Sequence, residues 1–154
     1  MDRISRSNLY MGMAILVSKR GTCPRAQVGA VLVRDKRIIS IGYNGAPAGQ
    51  PHCLDMGCIM VDKGCVRAVH AEANVIAFAA KQGISTLDAT MYVTLEPCIN
   101  CAKLMINAGI KEVVILGKAG SYPRSAAGIA MLKEAGIGLV YIDNDLTVEV
   151  DYTC

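Results

Sequence analysis

A three-layer α/β/α domain on a mixed five-stranded sheet is the fold class this sequence predicts, and three observations predict it. The first two strand-like runs, VGAVLVR and RIISIGY, face each other across a tight turn. Later strand-like runs alternate with helical stretches, which implies parallel pairing. Glycines at 83, 109 and 136 fall where those helical stretches should stop. At 154 residues the chain fits one domain spanning 1–154, with no internal repeat and no linker.

In order, Ser7–Lys19 reads as a helix with Ser7 as N-cap. Its apolar stretch Leu9–Val17 follows Arg3 and Arg6, so a secretory leader must be weighed. The apolar core is short and no A-x-A-like site follows, so a first amphipathic helix is expected. Val28–Arg34 suits a buried strand, Asp35-Lys36 a turn and Arg37–Tyr43 the returning strand. Asn44–Arg67 is rich in Gly, Pro, Cys and His with little periodicity. It is too long for an idle loop, so something other than a core must order it. A helix from His70 to about Gln82, a strand Thr90–Leu95 and a helix opened by Pro97 and running to Ala108 follow. Lys111–Leu116 is the fourth strand, Ser125–Ala135 a helix and Gly138–Asp143 the fifth strand. The order is α-ββ-α-β-α-β-α-β. Right-handed crossovers would make the later strands parallel, with helices on both faces.

Composition narrows the function classes. Net charge is only +3, the 16 Lys and Arg are scattered, and there is no Trp and one Phe. Neither a basic track nor a base-stacking platform is legible, so no nucleic-acid partner is expected. No apolar stretch is long enough to span a bilayer, so no membrane partner is expected either. A cytoplasmic location is expected, and there seven cysteines are metal ligands or thiols rather than disulfides.

The chemistry concentrates in His70-Ala71-Glu72 and Pro97-Cys98-Ile99-Asn100-Cys101. A catalytic zinc needs three protein ligands and an open position for water, and His70, Cys98 and Cys101 supply three. Cys98 and Cys101 are three apart, on one face of a helix start, and His70 starts its own helix. Two helix N-termini would then converge on the metal and favour thiolates. Glu72 is left as a carboxylate near the metal but not bound to it, placed to carry protons. The H-x-E…P-C-x-x-C pattern is the signature of zinc nucleobase deaminases. A redox C-x-x-C would leave His70 and Glu72 without a role, and a structural zinc knuckle would want four ligands and no free carboxylate.

The likeness extends beyond the signature: Thr22-Cys23-Pro24-Arg25 before VGAVLV, the loop Gly42-Tyr43-Asn44-Gly45-Ala46-Pro47-Ala48-Gly49, VRAVHAEAN over 66–74, and MYVTLEPCINCAKLMINAGIKEVV over 91–114. Over roughly residues 7–143 the chain resembles the cytidine/deoxycytidylate deaminase superfamily, in its deoxycytidylate (dCMP) deaminase branch of bacterial and bacteriophage type. The resemblance implies a cytidine deaminase-like fold and hydrolysis of dCMP to dUMP and ammonia. It implies zinc on His70, Cys98 and Cys101, Glu72 as proton shuttle, Asn44 on the sugar, Tyr122 packing on the pyrimidine, and Ala71 among the substrate-binding residues. It also implies a homohexamer activated by dCTP and inhibited by dTTP. Gly42, Tyr43, Gly45 and Gly49 would lie at the nucleotide triphosphate and its Mg²⁺, although that loop also reads as a turn that merely positions Asn44. The 5′-phosphate needs cations, for which Arg25 is the first candidate and Arg124 and Lys118 weaker ones.

Four further cysteines, Cys23, Cys53, Cys58 and Cys65, remain once Cys98, Cys101 and Cys154 are set aside. Together they suit a closed structural zinc site that would order a segment without a core, with His52 able to displace one ligand; free thiols in a loop are the alternative. Some relatives bind a second zinc in this region partly through His, and this chain has no His near 60–66. A tRNA-adenosine or free-nucleoside deaminase and a non-catalytic zinc module are the competing functions. The scattered charge and the G-Y-N-G loop argue against the first two, and intact Glu72 against the third.

Overall fold

In the computed structural model, residues 3–143, 145, 146 and 148 are described; Cys154 lies outside them. The elements are α1 (Arg6–Ser18), β1 (Gly29–Arg34), β2 (Arg37–Tyr43), α2 (Cys53–Met56), β3 (Met60–Val61), β4 (Gly64–Cys65), α3 (Ala71–Lys81), β5 (Thr90–Val93), α4 (Ile99–Asn107), β6 (Glu112–Leu116), α5 (Ala126–Glu134) and β7 (Gly138–Ile142).

The main sheet runs β2-β1-β5-β6-β7. β1 is antiparallel to both β2 and β5, whereas β5, β6 and β7 are parallel. The expected mixed sheet is therefore present. Its hairpin turn, Asp35-Lys36, has both residues at positive φ, the backbone of a two-residue hairpin whose twist matches the strands.

Alternation along the strands builds two cores, because successive side chains leave a strand on opposite faces. Ala30, Leu32, Met91, Val93, Val113 and Ile115 face α3, α4 and α5 through Val75, Ala102, Met105 and Leu132. Val31, Val33, Tyr92 and Val114 face α1 through Tyr10, Met11 and Ala14. The second helical layer is thus α1, since α4 and α5, as successive crossovers of one hand, cover the same face. Truncating a fully buried Met105 or Leu132 to Ala would cost about 2–5 kcal/mol, so this core fixes the scaffold.

Two helix starts differ from the sequence reading by more than a residue, and one segment read as a loop contains short elements. Ser5, not Ser7, caps α1: its backbone is extended and its side chain accepts the Asn8 N–H at 3.0 Å. Pro97 stands one residue before the N-cap Cys98 instead of opening α4, because the chain is still extended at Cys98 when it leaves β5. Within 44–67, the short α2 and the hairpin β3-β4 replace an element-free loop. A four-residue helix and two-residue strands give no readable period, which is why the pattern missed them.

Candidate active site

The site lies where α3 and α4 begin, beyond the carboxyl end of β5, the usual ligand-binding edge of an open α/β sheet. His70 and Cys98 are the N-caps of α3 and α4, both extended in backbone. Cys101 follows one turn into α4 and is buried. β2 can bring its end against α3 because Gly42 has no Cβ: one there would lie 2.9 Å from Val75 N and 3.0 Å from Ala71 O.

His70 Nδ1 stands 3.5 Å from Cys98 Sγ and 3.4 Å from Cys101 Sγ. A tetrahedral zinc with ordinary Zn–N and Zn–S lengths places such atoms about 3.6 Å apart. One nitrogen and two sulfurs that converge this closely therefore fit a zinc ion, with a fourth position left for water. The Cys98 thiol is held down to about 3 by its hydrogen bond with Cys101, helped by His70 and the Cys101 N–H. The same bond pushes Cys101 up, and Cys98 raises His70.

Glu72 is 4% exposed and sits beside this cluster without belonging to it. Burial raises its carboxyl above the ordinary range, opposed by a backbone N–H and by His70. A carboxyl in that position can hold a proton as well as release one.

These groups open into a cavity of about 750 Å³ lined also by Arg25, Asn44, Ala71, Tyr122 and Arg124. Asn44 is buried; its Oδ1 accepts the Val28 N–H at 2.8 Å and its Nδ2 donates to Ala26 O at 2.7 Å. One N–H and one lone pair of that amide remain for a ligand. Arg25 and Arg124 both line the cavity and both bond the turn of the β3-β4 hairpin. Arg25 donates to Lys63 O at 3.1 Å, and Arg124 donates to Asp62 O at 2.7 Å. Lys118 is exposed and does not line the cavity.

Gly42, Tyr43, Gly45 and Gly49 do not line it either. The N–H groups of Asn44 and Gly45 are used inside the fold, on Val28 O and Val69 O, both at 3.1 Å. Gly49, at φ 77, has open space beside it.

Cys23, Cys53, Cys58 and Cys65 form a second cluster, their sulfurs all within 4.8 Å of one another. His52 is outside it, facing Thr22 Oγ1 at 3.0 Å, which corrects its reading as an alternative ligand. Burial pushes Cys53 up to about 12, whereas Ala68 and Arg67, acting against burial, hold Cys65 down to about 6. Glu96 and Val61 are among the cavity-wall residues that the sequence reading did not single out. Glu96 is 2% exposed, and its only sequence signal is adjacency to Pro97-Cys98. Val61 carries no signal at all.

Comparison with known proteins agrees with this geometry. The family model for the cytidine and deoxycytidylate deaminase zinc-binding region matches residues 4–117. The chain belongs to the cytidine and deoxycytidylate deaminase family. This deaminase is 43% identical over 145 residues to ComE operon protein 2 of Bacillus subtilis, covering 94% of this chain and 75% of that one. It is 38% identical over 125 residues to the deoxycytidylate deaminase of Mycobacterium phage D29, covering 74% and 96%. Among solved structures, the dCMP deaminase of cyanophage S-TIM5 in complex with dCMP and dUMP matches with a TM-score of 0.79 at 28% identity, over 92% of this deaminase and 100% of that chain. No helix among the described residues is long and apolar enough to cross a membrane.

Proposed function

We propose that this deaminase hydrolyses dCMP to dUMP and ammonia. The observation that carries the reading is a buried carboxyl, Glu72, set beside a three-ligand zinc cluster at the floor of a cavity whose rim holds two arginines. His70, Cys98 and Cys101 would hold the zinc, which when bound acidifies a water toward neutral pKa and acts as a Lewis acid. Glu72 takes one proton of the attacking water and delivers it to the ring nitrogen, then takes the second proton of that water and delivers it to the departing amine, in a setting that favours the protonated carboxyl between transfers. Asn44 orients the sugar with its remaining donor and acceptor, and Tyr122 covers the pyrimidine. Arg25 and Arg124 bind the 5′-phosphate: each guanidinium has five N–H groups and uses a minority of them on the hairpin.

The four-cysteine cluster holds a second, structural zinc in this reading. Four sulfurs close a tetrahedron and leave no position for substrate. It is consistent with a cytoplasmic protein, where thiols stay reduced. A homohexamer with dCTP and Mg²⁺ as activator and dTTP as inhibitor completes the proposal, supported by family membership and the open end of the loop at Gly49.

Ammonia and dUMP formation, measured in parallel with dCMP, dCTP, deoxycytidine and CMP, tests the substrate. We expect dCMP to have the highest kcat/KM and deoxycytidine to suffer chiefly in KM. Zinc-loaded protein that releases no ammonia from dCMP, or that prefers deoxycytidine, would refute it. Saturation curves that superimpose with and without the two triphosphates would remove the regulatory part.

A further inference from the structure

Four donors converge on one buried carboxylate to which the reaction gives no role. Glu96 Oε1 accepts the Gly120 N–H at 3.0 Å and the Tyr141 hydroxyl at 2.8 Å. Its Oε2 accepts the Tyr122 N–H at 3.2 Å and the Ser125 hydroxyl at 2.7 Å. Glu96 lies two residues before Cys98 on the turn that carries the zinc ligands, and its partners lie on the loop after β6 and on β7. That loop carries Tyr122 and Arg124 into the cavity.

We propose that Glu96 is the positioning residue that registers this substrate-binding loop against the metal turn, and so sets affinity for the nucleotide. The inference rests on the deaminase reading of the cavity. A carboxylate is acceptor-only with about four lone-pair sites, and here four donors face them, the single Ser125 hydroxyl proton being shared with Tyr122 O at 2.6 Å. No neutral side chain of the same size can do this. A glutamine would turn an NH₂ toward the Gly120 or the Tyr122 N–H, and neither backbone donor can rotate away as the two hydroxyls can. The loop's other ties are the local bonds of Ser121 N–H to Lys118 O and of Ser125 N–H to Tyr122 O, and the Arg124 guanidinium on Asp62 O of the β3-β4 hairpin, so among the described residues Glu96 alone joins it to the metal turn through hydrogen bonds. The metal turn, by contrast, has a second brace. Gly128 of α5 packs so closely that a Cβ there would lie 2.6 Å from Pro97 O and 2.8 Å from Cys98 C. Losing the Glu96 bonds therefore releases the loop from the metal turn and leaves Cys98 in place.

The test compares wild type, Glu96→Gln, Tyr141→Phe and the double variant, all zinc-loaded. Glu96→Gln should weaken dUMP binding and raise KM for dCMP by roughly tenfold or more, with kcat within about threefold. Its zinc at His70, Cys98 and Cys101 should match wild type. Tyr141 does not line the cavity and reaches the loop through Glu96. Tyr141→Phe should therefore weaken dUMP binding by about two- to fivefold in wild type and add nothing in Glu96→Gln. Amide exchange at Gly120 and Tyr122 should speed up in Glu96→Gln, a readout independent of turnover. Unchanged dUMP affinity, loss of zinc, or a Tyr141→Phe effect of equal size in both backgrounds would overturn the proposal. Wild type that neither binds dUMP nor deaminates dCMP would overturn the deaminase reading instead, while faster exchange would still uphold the tether. If Glu96→Gln does not fold, Tyr141→Phe alone decides: no change in dUMP affinity or exchange overturns the proposal.

Discussion

Two ligand clusters in one small chain are built in opposite ways. His70, Cys98 and Cys101 sit on the first turns of α3 and α4, whose buried faces, Ala71, Val75, Ala102 and Met105, belong to the main core. Cys23, Cys53, Cys58 and Cys65 sit on a loop, a four-residue helix and a two-residue strand, with Leu54, Met56, Met60 and Val61 exposed around them. The first cluster is positioned by packing that exists without it. The second must itself supply the order, since neither a single helical turn nor an isolated short hairpin is stable in water. Three ligands beside a buried carboxyl keep a position open for chemistry; four sulfurs close it.

The contrast predicts different failures. The largest is at the first cluster: His70→Ala should lose the catalytic zinc and reduce dCMP turnover below detection, while the melting temperature stays close to that of the metal-stripped wild type. Ammonia release and elemental analysis on the same sample check it. Lower pH should have the same consequence by degrees. His70 protonates above the ordinary imidazole range in the metal-free site, so protons compete with zinc from that range downward and apparent affinity falls with pH. A zinc titration that is flat across that window would contradict this.

At the second cluster, Cys65→Ser should lower zinc from two per chain to one and cost several degrees of melting temperature, with Cys98 and Cys101 still loaded. Activity should fall through KM, because Val61, Gly64 and Cys65 form part of the cavity wall. Elemental analysis giving one zinc in wild type would break the comparison itself. A smaller effect is expected at the rim. Arg124→Ala should raise KM for dCMP by roughly tenfold and leave deoxycytidine unchanged, which parallel kinetics would reveal. The smallest concerns α1, remote from both clusters: Ser5→Ala should remove about 1 kcal/mol of stability and nothing from turnover, measured by denaturant unfolding.

The same contrast explains what could be read from sequence. The sheet, its hairpin turn at Asp35-Lys36 and the glycine stops at 83, 109 and 136 were legible because burial imposes periods and positive φ selects residues. The catalytic constellation was legible because ligand spacing is fixed by a helix turn. The elements α2, β3 and β4 were not, since segments of four and two residues carry no repeating apolar face. Ser5 caps α1 where the sequence reading places Ser7, because serine suits an N-cap at either position and only backbone geometry separates them. Glu96 was invisible because its four partners lie 24 to 45 residues away. In the Gly42–Gly49 loop, the amides of Asn44 and Gly45 close the fold through partners 16 and 24 residues away, which no local pattern shows.

The most direct test of the central claim is to compare wild type and Glu72→Gln, each loaded to the same zinc content, for conversion of dCMP to dUMP and ammonia. Wild type should release one ammonia for each dUMP formed, and Glu72→Gln should fall by about 10³-fold or more while keeping its zinc. Equal turnover by the two proteins, or a zinc-loaded wild type that leaves dCMP intact, would contradict the account.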